Sequence, residues 1–134
     1  MSWGDTDRRV TRVLVADGEP HVARFLEFVL REAGYDTLVV SDGEKLLDAA
    51  ERFRPDAILL DLALPGTSGW EILKRLKSKG VPPRPAVLVL GQESPQRMRD
   101  SVLEAGADAY HAKPVSPSTF LQSLADLGLP PTLG

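Results

Sequence analysis

Residues 55–66 read PDAILLDLALPG, an almost purely apolar run that ends on one carboxylate, Asp61, before Pro65 and Gly66. An apolar run this short, bounded by proline, is typical of a strand that is buried on both faces in the middle of a parallel sheet. Asp61 then stands at the carboxyl end of that strand. Because ligands and chemistry collect outside the carboxyl ends of strands in open α/β sheets, we expect a functional site at Asp61.

The segments on both sides of this strand alternate between strand and helix patterns. Short apolar runs predict further strands at residues 13–16, 37–40, 86–90 and 109–111. Each strand is followed by apolar residues at helical spacing, with short loops between the elements. This alternation predicts an α/β fold in which helices cover both faces of one five-stranded parallel sheet, a three-layer (βα)5 arrangement.

Local signals indicate where helices begin and which face they bury. Ser41 with Glu44, and Ser68 with Glu71, have the spacing of capping boxes at helix starts. A helix that begins at Pro20 carries apolar residues on one face, and we expect these to pack on the sheet: Val22, Phe25, Leu26, Val29 and Ala33.

Length and composition indicate one domain. The 134 residues suffice for a single core, and we assign residues 12–128 to it, with a loose arm at 1–11 and a tail at 129–134. The chain has no cysteine, which excludes disulfides and thiolate metal sites. Its start lacks the apolar segment of a signal peptide, and no apolar run approaches the roughly 20 residues of a membrane span. We therefore expect a cytoplasmic protein with no membrane contact.

Net charge and missing motifs exclude several classes of function. The formal net charge of -3 argues against a nucleic-acid surface, which is usually basic. Neither G-x-G-x-x-G after the first strand nor a G-K-[ST] phosphate loop is present, so a dinucleotide or nucleoside-triphosphate enzyme is not expected. The partners are therefore expected to be proteins or small anions.

Four positions converge at one edge of the predicted sheet, because each directly follows a strand. They are Asp17, Asp61, Gly91 and Lys113. Two carboxylates with one ammonium group suggest a site for a small cation and an anionic partner. Hard divalent ions such as Mg²⁺ bind carboxylate oxygens, and lysine is a common partner of phosphate.

Three segments closely resemble the receiver domains of bacterial response regulators. They are VLVADGEP at 13–20, PDAILLDLALPGTSG at 55–69 and EAGADAYHAKP at 104–114. The resemblance extends from about residue 12 to about residue 127, and the three motifs agree in order and spacing. It implies a flavodoxin-like fold with the strand order 2-1-3-4-5.

The resemblance also implies a role for each site residue. Asp61 would accept a phosphoryl group from a histidine kinase or phosphotransfer protein, and Lys113 would neutralise the phosphoryl charge. Asp17 and the backbone carbonyl of Ala63 would bind Mg²⁺ together with Asp61. The Lys113–Pro114 bond would be cis. Such a domain is not an enzyme beyond assisting its own phosphoryl transfer and dephosphorylation.

Two glycines depart from the family pattern. Gly18 stands where the family has a second metal-binding acid, so we expect weakened Mg²⁺ binding, and Glu19, one position later, is expected to point elsewhere. Gly91 stands where the family has a threonine or serine that bonds the phosphoryl group, and glycine there should loosen the following loop. Tyr110 matches the aromatic switch position of the family, but its hydroxyl-bearing partner is missing.

Two functions fit this pattern. The first is a receiver domain that is phosphorylated on Asp61 and signals to a downstream protein partner through a face around the fourth helix and the fourth and fifth strands. The alternative is a protein docking module that kept the fold and works without phosphorylation. In either case we expect a monomer or a weak homodimer.

Overall fold

The structure of the protein is a computed structural model that describes residues 10–78 and 84–131. Within these ranges five strands alternate with five helices. The strands are β1 (Arg12–Ala16), β2 (Asp36–Val40), β3 (Ala57–Asp61), β4 (Ala86–Gly91) and β5 (Ala109–Ala112). The helices are α1 (Pro20–Glu32), α2 (Gly43–Phe53), α3 (Gly69–Ser78), α4 (Pro95–Glu104) and α5 (Pro117–Asp126). Residues 1–9 of the predicted arm and 132–134 of the predicted tail lie outside the described ranges.

The five strands form one parallel sheet in the order β2-β1-β3-β4-β5, which confirms the predicted fold and strand order. β3 lies in the middle, where Ala57 is opposite Val13 of β1 and Asp61 is opposite Leu90 of β4. All residues of β3 are buried. The continuous apolar run is therefore explained by helices that cover the strand from both faces.

Two apolar cores lie on the two faces of the sheet. On one face α1 and α5 contribute Leu30 and Phe120. On the other face α2, α3 and α4 contribute Leu46, Ile72 and Val102. Successive residues of a strand pack into opposite cores, because neighbouring side chains of a strand point to opposite faces of the sheet. None of the helices in the described part of the chain has the length and apolar character needed to cross a bilayer.

The buried face of α1 differs from the predicted one. Ala23, Leu26 and Leu30 are buried, whereas Phe25 is 45% exposed. Partly buried against the same core are Val22, Val29 and Ala33. The apolar residues of α1 extend around more of the helix than the sheet covers, and Phe28, which is exposed, belongs to this excess. Spacing alone could not determine which part of the apolar surface faces the core.

Asp42, not Ser41, caps α2. Its Oδ1 accepts a hydrogen bond at 2.8 Å from the amide three residues later. The first residue of the helix is restricted to glycine, because a Cβ at Gly43 would lie 2.6 Å from the carbonyl oxygen of Thr67 in the loop after β3. The predicted cap of α3 is present, with Ser68 Oγ accepting a hydrogen bond at 3.1 Å from the amide three residues later.

Two aspartates complete the hydrogen bonding at the amino edge of the sheet. Asp56 Oδ2 accepts a hydrogen bond from the Arg12 amide at 2.9 Å, just before β3 begins. Asp108 Oδ2 accepts one from the Val87 amide at 2.8 Å, just before β5 begins. Carboxylates at this edge thus satisfy strand N–H groups, which would otherwise lose a partner where the sheet begins.

Candidate functional site

The carboxyl edge of the sheet brings Asp17, Asp61 and Lys113 together. Asp17 follows β1, Asp61 is the last residue of β3, and Lys113 follows β5. Both aspartates are almost completely buried. Residues far apart in sequence meet here because all five strands run in the same direction and end at the same edge.

The Lys113 ammonium group lies among three carboxylates. Its Nζ is 2.9 Å from Asp17 Oδ2 and 3.2 Å from Asp61 Oδ2. It is 2.7 Å from Glu19 Oε1, to which it donates a hydrogen bond. The lysine side chain is only 7% exposed, so little water separates these charges. The Lys113–Pro114 bond is cis, as the family resemblance implies.

Backbone amides hold one oxygen of each aspartate. The Glu19 amide donates to Asp17 Oδ1 at 2.9 Å, and the Ala63 amide donates to Asp61 Oδ1 at 2.9 Å. Asp17 Oδ2 is buried and accepts no hydrogen bond from the described residues, since its 2.9 Å contact with Lys113 is an ion pair without hydrogen-bond geometry. The oxygens not bound to amides therefore face the centre of the cluster.

The electrostatics of the cluster are unbalanced. Burial raises the pKa of Asp17 above its ordinary value, although the Glu19 amide and Lys113 oppose this. Burial alone would lower the pKa of Lys113, but its hydrogen bond with Glu19 and its ion pairs with the two aspartates raise it. Three carboxylates against one ammonium group leave the cluster short of positive charge.

Glu19 belongs to this cluster, so the expectation that it points elsewhere is wrong. One carboxylate oxygen from each of Asp17, Glu19 and Asp61 lies within 4.8 Å of the other two. Glu19 precedes Pro20, and a residue before proline is held in extended backbone geometry. Its φ of -94° and ψ of 109° fit that restriction. Pro20 is thus a sequence signal that Glu19 has an extended backbone and lies before the first turn of α1.

Gly18 is packed against the loop after β3. A Cβ at this position would lie 2.8 Å from Pro65 Cδ and 3.6 Å from the Ser41 carbonyl oxygen. The proline ring thus occupies the space that a side chain at position 18 would need. An acid at this position requires Pro65 to shift, in addition to supplying charge.

Substitution of Gly18 separates these two effects. We expect Gly18→Asp and Gly18→Ala both to lower the free energy of unfolding by about 1 kcal/mol, because each places a Cβ against Pro65. Only Gly18→Asp adds a carboxylate, so we expect it to bind Mg²⁺ more tightly than Gly18→Ala. Urea unfolding and calorimetric titration measure the two quantities. Equal Mg²⁺ affinities would show that position 18 does not reach the cation.

Ala63 lies beside Asp61 in the loop after β3. Its amide binds Asp61 Oδ1, and both residues line a cavity with Trp70, Gly91 and Tyr110. The role of the Ala63 carbonyl as a metal ligand remains a prediction.

Tyr110 fills the space next to Gly91. It is 2% exposed, and its hydroxyl donates a hydrogen bond to the Glu93 carbonyl oxygen at 2.6 Å. Burial, with a further contribution from the Glu93 carboxylate, raises the pKa of this hydroxyl. A Cβ at Gly91 would lie 2.7 Å from the Tyr110 hydroxyl oxygen and 3.1 Å from its ring. The buried position of Tyr110 therefore depends on the absence of a side chain at position 91.

Gly91→Ala is expected to lower the free energy of unfolding by about 2 kcal/mol, because the buried ring of Tyr110 must move to admit the methyl group. Urea unfolding measures the cost. Tyr110→Phe gives the matched background, since it removes the atom nearest to the new methyl group. The cost of Gly91→Ala should be smaller in that background, and an equal cost in both would show that Tyr110 does not limit position 91.

A parallel sheet of order 2-1-3-4-5 defines the flavodoxin-like fold, and in this chain two aspartates and a lysine lie at its carboxyl edge. The family model described as response regulator receiver domain matches residues 13–125. The chain therefore belongs to the response regulator receiver domain family, whose members act in two-component signalling.

Known proteins similar to this chain include whole regulators and isolated receiver domains. The DNA-binding response regulator MtrA of Mycolicibacterium smegmatis is 40% identical over 118 residues, which cover 87% of this chain and 49% of MtrA. The chain thus spans about half the length of the curated relatives it matches.

Two solved structures illustrate the likeness. The chemotaxis response regulator CheY4 of Vibrio cholerae has a TM-score of 0.80 at 27% identity, with 89% of this chain and 99% of that chain covered. The receiver domain of the sensor histidine kinase PA1611 of Pseudomonas aeruginosa has a TM-score of 0.78 at 29% identity, with 88% and 97% covered. That structure holds a magnesium ion coordinated in its active site cleft.

Proposed function

We propose that this domain accepts a phosphoryl group on Asp61 from a histidine kinase or phosphotransfer protein and passes the signal to a protein partner. The observation that carries the proposal is the cluster in which Lys113 Nζ lies 3.2 Å from Asp61 and 2.9 Å from Asp17. An ammonium group in this position can neutralise an incoming phosphoryl group. The membership of the chain in the receiver family supports the same assignment.

The transfer itself needs a nucleophile, positioning and neutralised charge. A carboxylate oxygen of Asp61 would form the new O–P bond while the N–P bond to the donor histidine breaks. The released imidazole would take its proton from solvent. Lys113 would stay within reach of the phosphoryl oxygens because its side chain is buried beside Asp61. We propose no catalytic activity of the domain beyond its own phosphoryl transfer and dephosphorylation.

The donor atoms of the cluster fit Mg²⁺. They are carboxylate oxygens, which hard divalent ions prefer, and the buried Asp17 Oδ2 accepts no hydrogen bond among the described residues. Asp17 and Asp61 would hold the ion, with the Ala63 carbonyl as a further ligand. Bound Mg²⁺ would supply positive charge for the phosphoryl oxygens. The magnesium ion in the PA1611 receiver domain supports this assignment by similarity.

The partners follow from the same reasoning. We propose the face formed by α4, β4 and β5 for the downstream protein, because the hydrogen bond from Tyr110 to the Glu93 carbonyl joins β5 to the loop after β4. Nucleic acid is not proposed as a partner of the domain, whose formal net charge is -3. We propose a monomer or weak homodimer in the cytoplasm, where soluble phosphodonors are present. No observation favours a docking module that works without phosphorylation.

Incubation with acetyl phosphate tests the function. We expect the protein to gain the mass of one phosphoryl group in the presence of Mg²⁺ and to lose it on treatment with hydroxylamine, which cleaves acyl phosphates. Chelation of Mg²⁺ before the incubation should suppress the gain. The absence of any mass gain at saturating Mg²⁺ would overturn the proposed function.

A further inference from the structure

We propose that Glu19 supplies the carboxylate ligand that Gly18 cannot, so that the divalent cation of this site is held by Asp17, Glu19 and Asp61. The inference rests on the proposed function, because it concerns the cation that the function uses. It differs from the arrangement implied by the family resemblance, in which the second acid directly follows the first. In this chain the second acid is displaced by one residue.

The backbone of Glu19 is fixed at the site, whereas its exposed side chain is held there by the hydrogen bond that it accepts from Lys113. Its amide donates to Asp17 Oδ1 at 2.9 Å, and its carbonyl accepts the first hydrogen bond of α1, from Ala23 at 2.9 Å. Its side chain makes no capping hydrogen bond and is 58% exposed. Turning the carboxylate toward a cation therefore breaks no helix cap, and it exchanges the hydrogen bond with Lys113 for a contact with the cation.

The carboxylate of Glu19 already lies close enough to the two aspartates to bind the same cation. The three oxygens lie within 4.8 Å of one another, so a small turn of the exposed Glu19 side chain suffices to reach the separation of about 4.2 Å or less that Mg–O distances allow. Asp17 is 1% exposed, and its Oδ2, which accepts no hydrogen bond among the described residues, faces the same space. In the part of the chain that the structure describes, the Lys113 ammonium group, 2.9 Å away, is the only positive charge shown beside this oxygen, and it is shared with Glu19 and Asp61.

A side chain at position 18 could reach the cation only if Pro65 moved. Pro65 Cδ would be 2.8 Å from a Cβ on Gly18, so the space beside the loop after β3 belongs to the proline ring. Pro20 restricts the backbone of Glu19 to the extended region, and in that conformation the Glu19 carboxylate reaches Lys113. The loop after β3 thus disfavours a side chain at position 18, and the acid at position 19 lies close enough to take its place.

Glu19 would also control Lys113. In the structure it is the nearest of the three carboxylates to the lysine ammonium group, at 2.7 Å. When Glu19 turns toward a cation, Lys113 loses this partner and keeps the two aspartates. The ammonium group then has a donor available for a phosphoryl oxygen. Glu19 is in this sense a metal ligand and a positioning residue for Lys113.

Calorimetric titration of the whole chain with Mg²⁺ tests the inference. Glu19→Gln keeps the length of the side chain and removes its charge, and we expect it to weaken Mg²⁺ affinity about tenfold. Glu93→Gln is the matched control, because Glu93 lines the cavity beside Asp61 but its carboxylate is outside the cluster. We expect this control to change the affinity by no more than about twofold.

Tryptophan fluorescence gives a second measure of Mg²⁺ binding that is independent of calorimetry. Trp70 lines the cavity beside Asp61, and in a Trp3→Phe background it is the only tryptophan. We expect Mg²⁺ to change its fluorescence, with the midpoint of the change shifted to higher concentration by Glu19→Gln. Circular dichroism should show unchanged folding, because the Glu19 side chain is exposed.

Asp17→Asn separates the failure of this inference from the failure of the proposed function. Lost affinity in Asp17→Asn with wild-type affinity in Glu19→Gln would overturn the role of Glu19 and leave the proposed function intact. Wild-type affinity in both variants, or no Mg²⁺ binding by the wild type, would overturn the cation site and with it both proposals. Weakening by Glu19→Gln but not by Glu93→Gln supports the inference.

Discussion

Asp61→Asn is expected to abolish phosphoryl uptake from acetyl phosphate and from a phosphohistidine donor. An asparagine amide lacks the carboxylate oxygen that attacks phosphorus. The variant should still fold, because asparagine has nearly the same size and its oxygen can accept the hydrogen bond that the Ala63 amide donates at 2.9 Å. Mass spectrometry of the intact protein, after incubation with Mg²⁺ and acetyl phosphate, measures the uptake.

Asp56→Asn is the matched control for this variant. Asp56 immediately precedes the same strand at its other end, where the carboxylate accepts a hydrogen bond from the Arg12 amide. Asparagine can still accept that bond, so we expect wild-type uptake. Uptake that persists in Asp61→Asn would contradict the role of Asp61. If both variants lost phosphoryl uptake equally, the loss would be due to the change in charge or in folding and not to the role of Asp61 as acceptor.

Lys113→Met is expected to lower the free energy of unfolding by about 3 kcal/mol when divalent ions are chelated. Methionine keeps most of the apolar stem but removes the ammonium group that lies 2.9 Å from Asp17 and 3.2 Å from Asp61. The two aspartates are then buried close together without a counter-ion. Urea unfolding in the presence of EDTA measures the loss, and Mg²⁺ should restore part of it by replacing the missing positive charge.

Two comparisons isolate the electrostatic cause. Lys45→Met removes an exposed lysine whose nearest ionic partner is Asp42 at 3.9 Å, and exposed pairs contribute little, so we expect a loss below about 1 kcal/mol. Adding Asp17→Asn to Lys113→Met removes one of the unpaired charges and should recover part of the stability. A loss in Lys113→Met no larger than in Lys45→Met would contradict this account.

The fold could be predicted because its determinants are local and repeated. The run at 57–61 is apolar at every position up to Asp61, and that pattern is specific for a strand covered on both faces. The exposed position of Phe25 could not be predicted, because α1 has more apolar surface than the sheet covers. The need for glycine at position 43 could not be predicted either, because it arises from close contact with Thr67, which belongs to a different loop.

The candidate site could be predicted as far as strand ends determine it. Asp17, Asp61 and Lys113 follow strands, so parallel pairing alone brings them together. The place of Glu19 in the site does not follow from strand ends, because it depends on the extended backbone before Pro20 and on the contact with Lys113. The burial of Tyr110 depends on the empty space at Gly91, which is a property of two packed strands and not of either sequence motif.

The length of β3 is itself part of the site. Its 5 residues separate Asp56, which completes the hydrogen bonding at one edge, from Asp61 at the other. Side chains alternate along a strand, so one inserted residue would turn every later side chain to the opposite face while the backbone ladder could still re-form. The acceptor would then be displaced from Lys113 with no site residue changed. The number of residues in β3 thus determines where the Asp61 carboxylate lies relative to Lys113.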